Sequence, residues 1–187
     1  MAGGMERIAT ITSIDVQYET KQPWMKFVPD IFLTAEVKHD WDDKITIFGS
    51  FKKDIALDDR RSWGSAFKIA EFFECALGKR NLLVQPDYSI PDEWIRDCID
   101  REIKMCSYPT TKLKDSGKPY WNNFDRVAQA GSVDGILKKM VLDSAKAGYI
   151  KNYNFSNDQN GEVDFNFGSN VKEEKTTPEV QLDGIEL

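Results

Sequence analysis

Ile31-Phe32-Leu33-Thr34-Ala35-Glu36-Val37-Lys38-His39-Asp40-Trp41-Asp42-Asp43-Lys44-Ile45-Thr46-Ile47-Phe48-Gly49-Ser50-Phe51 is the stretch on which the fold turns. Its first part sets Leu33, Ala35 and Val37 on one face and Thr34, Glu36 and Lys38 on the other, the period of two of a half-buried strand. From Lys44 the alternation resumes, with Ile45, Ile47, Gly49 and Phe51 on one side and Lys44, Thr46, Phe48 and Ser50 on the other. His39 to Asp43, between the two runs, is too polar for a sheet and short enough to make a hairpin. One aromatic ring, Phe48, is thereby set on the polar face.

Working outward, Ile8 to Tyr18 alternates Ile14, Val16 and Tyr18 with Ser13, Asp15 and Gln17 and reads as a strand before the hairpin, with Gln22 to Pro29 as an interruption. On the far side, a charged connection from Lys52 to Ser62 and Trp63-Gly64-Ser65 lead into Ala66 to Leu77, whose apolar residues recur at helical spacing. Ser62 or Ser65 is a candidate cap and Gly78 a stop. Asp92 to Asp97 reads as a helical turn, Ile99 to Tyr108 as a fourth strand with Ile103 and Met105 inward, and Pro119 to Val127 as a fifth. A last helix is expected over Ser132 to Ala147, with Val133, Ile136, Leu137, Met140, Val141 and Ala145 on one face, Ser132 as cap and Gly148 as stop. Three strands, a helix and two more strands is the order of a five-stranded oligonucleotide/oligosaccharide-binding (OB) barrel, whose helix after the third strand plugs one end. The expected class is therefore mainly β. It comprises an OB-fold barrel over residues 1–130, a helical extension over 131–155, and a tail over 156–187.

Charge sets that tail apart. Residues 156–187 hold 8 of the 31 acidic side chains and 2 of the 25 basic ones, a net of −6, which leaves 23 of each sign in the rest of the chain. In its final stretch isolated Leu182, Ile185 and Leu187 are interleaved with Asp183 and Glu186. Such a segment cannot build a core, and it is expected to be disordered and to dock on partners.

Several classes are disfavoured by composition. No apolar run reaches the roughly 20 residues of a membrane span and no signal pattern opens the chain, so no membrane association and a cytoplasmic location are expected. Cys75, Cys98 and Cys106 match no zinc spacing, and the chain has the single histidine His39; no metal or cofactor is expected. No glycine-rich phosphate loop or Gly-x-Ser-x-Gly elbow is present. His39 at a strand end, Asp42-Asp43 and Asp58-Asp59 on loops, and Cys75 in an apolar helix have ordinary structural or solvated readings. A non-enzymatic protein is expected.

Lys44-Ile45-Thr46-Ile47-Phe48-Gly49-Ser50-Phe51-Lys52, Trp63-Gly64-Ser65-Ala66-Phe67-Lys68-Ile69 and Gly117-Lys118-Pro119-Tyr120-Trp121-Asn122-Asn123-Phe124-Asp125-Arg126-Val127 resemble small OB-fold single-stranded DNA-binding proteins encoded by phages and some microbes. The resemblance spans roughly residues 6 to 153. It implies a replication or recombination protein of the cytoplasm, the host cytoplasm if phage-encoded. The acidic tail likewise resembles the C-termini through which replicative single-strand binders recruit partners, although it ends in Ile185-Glu186-Leu187 and lacks the Pro-Phe ending of the bacterial housekeeping type. Leu182, Asp183, Ile185, Glu186 and Leu187 are the expected partner contacts.

Binding single strands without sequence preference takes rings that stack on bases and cations that follow phosphates. An OB barrel offers them on its second and third strands and on the first-to-second and fourth-to-fifth loops. On that frame the candidates are Lys38, Trp41, Lys44 and Phe48 around the hairpin, Lys21, Trp24 and Lys26 before it, and Tyr108, Lys112, Lys114 and Lys118 near the fourth-to-fifth turn. Tyr120 or Trp121 adds a ring at that turn's exit, the two splitting across the sheet. Trp24 and Trp41 also have a competing role as loop anchors, because large aromatics usually bury most of their surface. Trp63, Phe67, Phe72 and Phe73 are expected in the core. Asp40, Asp42 and Asp43 beside Trp41 would repel phosphates unless they face away. Two further alternatives stay open: RNA as ligand, and an OB module that binds another polypeptide instead of nucleic acid. The apolar face of the last helix also leaves a homodimer open.

Overall fold

The computed structural model describes residues 4–52 and 56–157. The chain order is β1 (Met5–Tyr18), β2 (Ile31–Lys38), β3 (Asp42–Gly49), α1 (Phe67–Leu77), α2 (Asp92–Cys98), β4 (Glu102–Leu113), β5 (Pro119–Asn123), β6 (Ala128–Gln129) and α3 (Ile136–Lys146). All pairings are antiparallel, in the order β3-β2-β1-β4-β5, with β6 also on β4. The architecture is a mainly β sheet with three helices.

The central hairpin follows its alternation: Ile31 pairs with Gly49 and Lys38 with Asp42, and Leu33, Ala35, Val37, Ile45 and Ile47 are buried in the main core. β1 is the long member, pairing through Met5 to Thr10 with β4 and from Thr10 to Tyr18 with β2. The register slips between Ile11 and Ser13, so Thr12 is the extra residue of a bulge, which bends a strand and raises its twist. This bend lets one strand serve both halves of the sheet. Gly49 lies where the sheet meets the turn before α1, and a Cβ there would come within 2.6 Å of Ala66 Cα. Trp63, Phe72 and Phe73 are fully buried beneath α1.

β4 is covered on both faces, with residues 103–110 all buried. Ile103 and Met105 enter the main core, whereas Cys106 and Tyr108 join a second cluster with Leu137, Val141, Ala145 and Tyr153. Leu137, Val141 and Ala145 of α3 are thus spent on the chain's own sheet, whereas Ile136 of the same expected face is exposed. Val133, expected on that face, is 80% exposed.

The start of α3 is the second correction. Its cap position is Gly135, in the left-handed region at φ 87°, and no side chain of its own caps it. Glu6 of β1 does so from across the fold, accepting the Gly135 and Leu137 N–H groups at 2.7 Å and that of Lys138 at 2.9 Å. A carboxylate there satisfies orphan donors and complements the helix dipole. Glu6→Ala is expected to cost about 1–2 kcal/mol, seen as a lower urea midpoint with an unchanged slope, and Glu6→Gln less.

The expected fifth strand divides. Phe124 N–H still bonds to the Cys106 carbonyl at 2.8 Å, but residues 124–127 leave the ladder before β6 rejoins β4 opposite Ile103 and Lys104. The expected fourth strand starts later and runs on to Leu113. Phe67 is half-buried at the start of α1, not in the core. Residues 158–187, and with them Leu182, Asp183, Ile185, Glu186 and Leu187, lie outside the described residues. No helix among the described residues is long and apolar enough to cross a membrane.

Candidate functional site

The two edge strands, β3 and β5, come together at one side chain. Asn123 of β5 donates to Asp43 Oδ1 at 2.7 Å and to the Lys44 carbonyl at 2.8 Å, both on β3, while its own oxygen accepts from Ser107 Oγ of β4 at 2.7 Å. Asp43 Oδ2 lies 3.3 Å from His39 Nε2. Of the three carboxylates expected to repel phosphates, Asp43 is therefore engaged in the junction between strands, whereas Asp40 and Asp42 are exposed.

Over this junction opens a groove of about 1180 Å³, larger than the roughly 300–1,000 Å³ of small-molecule pockets. One wall is the outer face of β3, Lys44, Thr46 and Phe48, with Trp24 above it. β5 and the residues after it supply Trp121, Asn122, Asn123, Asp125 and Arg126, and the start of α1 supplies Phe67 and Lys68. Ser144 of α3 and residues 149–152 line the remaining side.

Aromatic packing holds the first wall in place. Phe48 is half-buried beneath Trp24 at 6.5 Å and Phe27 at 5.5 Å between ring centroids, and Phe32 backs Trp24 at 6.2 Å. Trp24 is nonetheless 63% exposed. A ring fixed at its edge with a free surface is a ready stacking platform.

The cations divide into two sets. Lys68 pairs with Asp125, and Arg126 makes a two-pronged bond to Glu71 at 2.6 and 2.8 Å while lying 5.5 Å over Phe67. Glu71 holds the Arg126 guanidinium above its ordinary pKa, against the opposing effect of burial. Lys44 and Lys151 are exposed and carry no ion pair among the described residues. These two are the groove-lining lysines without an ion pair among the described residues.

The expected residues scatter around this geometry. Trp24, Lys44, Phe48 and Tyr108 line the groove. Tyr108 does so from within β4, not from the turn, and is only 8% exposed; burial raises its pKa, partly offset by a hydrogen bond to Asn122. Trp41 packs beneath Arg7 at 4.6 Å and against His39 at 4.3 Å, away from the groove lining. Lys38 borders a separate hollow with Lys44 and the carboxylates of Glu36, Asp42 and Asp43. Lys21 and Lys26 are exposed before β2 and outside the lining. Lys112 and Lys114 lie 5.1 and 5.6 Å over Tyr120, and with exposed Lys118 they form a basic tip on the β4–β5 hairpin. Of the adjacent rings it is Trp121 that lines the groove.

Phe67, Lys68, Arg126, Tyr149 and Lys151 are among the lining residues outside the sequence-based candidates. Trp121 was held as the alternative to Tyr120, whereas Lys151 and Tyr149 had one signal, a ring and a cation directly after a helix-ending glycine.

Burial pushes the Cys75 thiol up to about 11, with Glu71 and Glu74 adding to it, and Cys98 and Cys106 up to about 12, far from thiolate at neutral pH. Among the described residues no group of three or more histidines, cysteines or carboxylates could hold a metal ion. No family model, curated protein or solved structure matches the chain.

Proposed function

We propose that the chain binds single-stranded DNA, largely without sequence preference, by stacking bases on Trp24, Phe48 and Trp121 and by holding phosphates with Lys44 and Lys151. The observation that carries this is the meeting of the exposed rings of Trp24 and Trp121 with Lys44 and Lys151, which carry no ion pair among the described residues, in one groove. Stacking tolerates any base because every base has a π-face, and lysine contacts ignore sequence.

The groove crosses the outer face of β3 below the β1–β2 connection, the surface an OB barrel uses. Rolling the sheet until β3 meets β5 closes such a barrel. The Asn123 bonds to Asp43 and Lys44 are what favour this closure, with the bulged β1 supplying the curvature. Asn123→Ala is expected to lower stability by about 1–3 kcal/mol, read from the urea midpoint, because it frees a half-buried junction of three strands. An unchanged midpoint would argue for an open sheet.

The acidic segment 156–187 would then act as the tether that recruits replication or recombination proteins, its charge separate from a body with equal numbers of each sign. Binding is tested by the anisotropy of a labelled thymidine oligomer titrated with the full chain at several salt concentrations. The expected result is tight binding that weakens with salt, with a log–log slope of about −0.7 per phosphate neutralised, and much weaker binding of the matching duplex. An RNA oligomer of the same length bound more tightly would move the assignment to RNA. No binding at low salt would leave a protein-docking groove.

A further inference from the structure

Tyr149 is 85% exposed, and among the described residues no ring or cation contact holds it, yet its backbone is firmly placed. Gly148, at φ 80°, turns the chain out of α3, a left-handed conformation that costs glycine little. The Tyr149 N–H then bonds to the Ser144 carbonyl at 2.9 Å. Beyond it the Thr111 N–H donates to the Asn152 carbonyl at 2.8 Å and the Asn154 N–H to the Pro109 carbonyl at 3.0 Å, around a Thr110–Tyr153 bridge. Because β1 ends opposite Ser107 at Met5, this segment takes over β1's place on β4. Tyr153 and Ile150 pack into the second cluster below.

The result is a pinned turn that carries an exposed ring and, two residues on, an exposed lysine, both lining the groove. Ordinary folding gives no reason to leave a tyrosine ring that open on a segment held that tightly, since rings usually bury most of their surface. We infer that residues 149–152, which lie outside strands β1 to β6, form a second wall of the single-strand site. Tyr149 stacks on a base and Lys151 meets the adjoining phosphate, opposite the platform of Trp24 and Phe48. This inference rests on the groove being the single-strand site. It makes the helical extension part of the ligand contact, so that the strand bound is longer than the β3 wall alone would hold.

The test uses the full chain and thymidine oligomers of increasing length, with affinities from anisotropy. Tyr149→Ala is expected to lose about fivefold to a hundredfold on long oligomers, the range of one base stack, and to lose little on the shortest that still bind. Tyr149→Phe retains binding, since stacking needs the ring and not the hydroxyl. Lys151→Ala reduces the salt slope by about 0.7. A Tyr149→Ala protein that matches wild type at every length, beside a Trp24→Ala protein that is weakened, overturns the second wall and leaves the groove assignment standing. If the wild-type chain binds no oligomer, the groove assignment itself fails.

Discussion

Replacing Trp24 with alanine is expected to weaken binding of a long thymidine oligomer by about 1–3 kcal/mol, a fivefold to hundredfold loss in affinity, with little change in stability. The ring is 63% exposed and projects over the groove, so its removal takes away a base platform and little core. Phe48→Ala should fall in the same range, but the two losses will not add. Their rings touch, and contacting residues couple by about 0.5–3 kcal/mol. Trp41→Ala supplies the contrast. Both are exposed tryptophans of similar appearance in the sequence, but Trp41 is occupied by Arg7 and His39, so its loss should leave affinity unchanged. Equal losses at Trp24 and Trp41 would show that the binding surface extends across the hairpin tip.

The largest effect on stability is expected at Trp63, among the largest fully buried side chains of the core. Trp63→Ala should cost about 3–5 kcal/mol, a large part of the roughly 5–15 kcal/mol that holds a domain together, and shows as a fall in the urea midpoint or as insoluble protein. Its ring packs on Phe51 at 5.8 Å, and its Nε1 is buried without a hydrogen-bond partner among the described residues. Trp63→Phe discards that unpaired N–H while keeping a ring, so it should cost far less. The phenylalanine variant should also bind oligomer as the wild type does, because Trp63 does not line the groove.

Where a feature depended on neighbours in sequence, it was legible. The β2–β3 hairpin follows from strict alternation, and its register puts every expected inward residue from Leu33 to Ile47 in the core. The glycine stop of the last helix falls at Gly148. What escaped was long-range. The residue that caps α3 is Glu6, 129 positions from Gly135, a partner that the residues around Ser132 do not disclose. The junction at Asn123 is likewise long-range, since its side chain is committed to Asp43 and Lys44 of β3, partners that no local pattern discloses.

The candidate site divides in the same way. Phe48 and Lys44 were legible because strand alternation decides which way a side chain points. For loop residues no such rule exists, and so Trp24 and Trp41 looked alike while the structure separates them. Tyr149 and Lys151 follow a helix stop and join the groove only because the segment after α3 pairs with Thr110. The lysines of the β4–β5 hairpin are candidates by their place on that connection, yet Lys112 and Lys114 gather round Tyr120 and none of the three lines the groove.

Photo-cross-linking of a 5-iodouracil-substituted single strand to the full chain, followed by mass spectrometry of the joined peptides, tests the groove assignment most directly. The account predicts adducts at Trp24, Phe48 or Trp121 on one side and at Tyr149 on the other, suppressed by excess unlabelled single strand and by high salt. Adducts confined to Trp41, Tyr88 or the Tyr120 tip, with none in the groove, would contradict it.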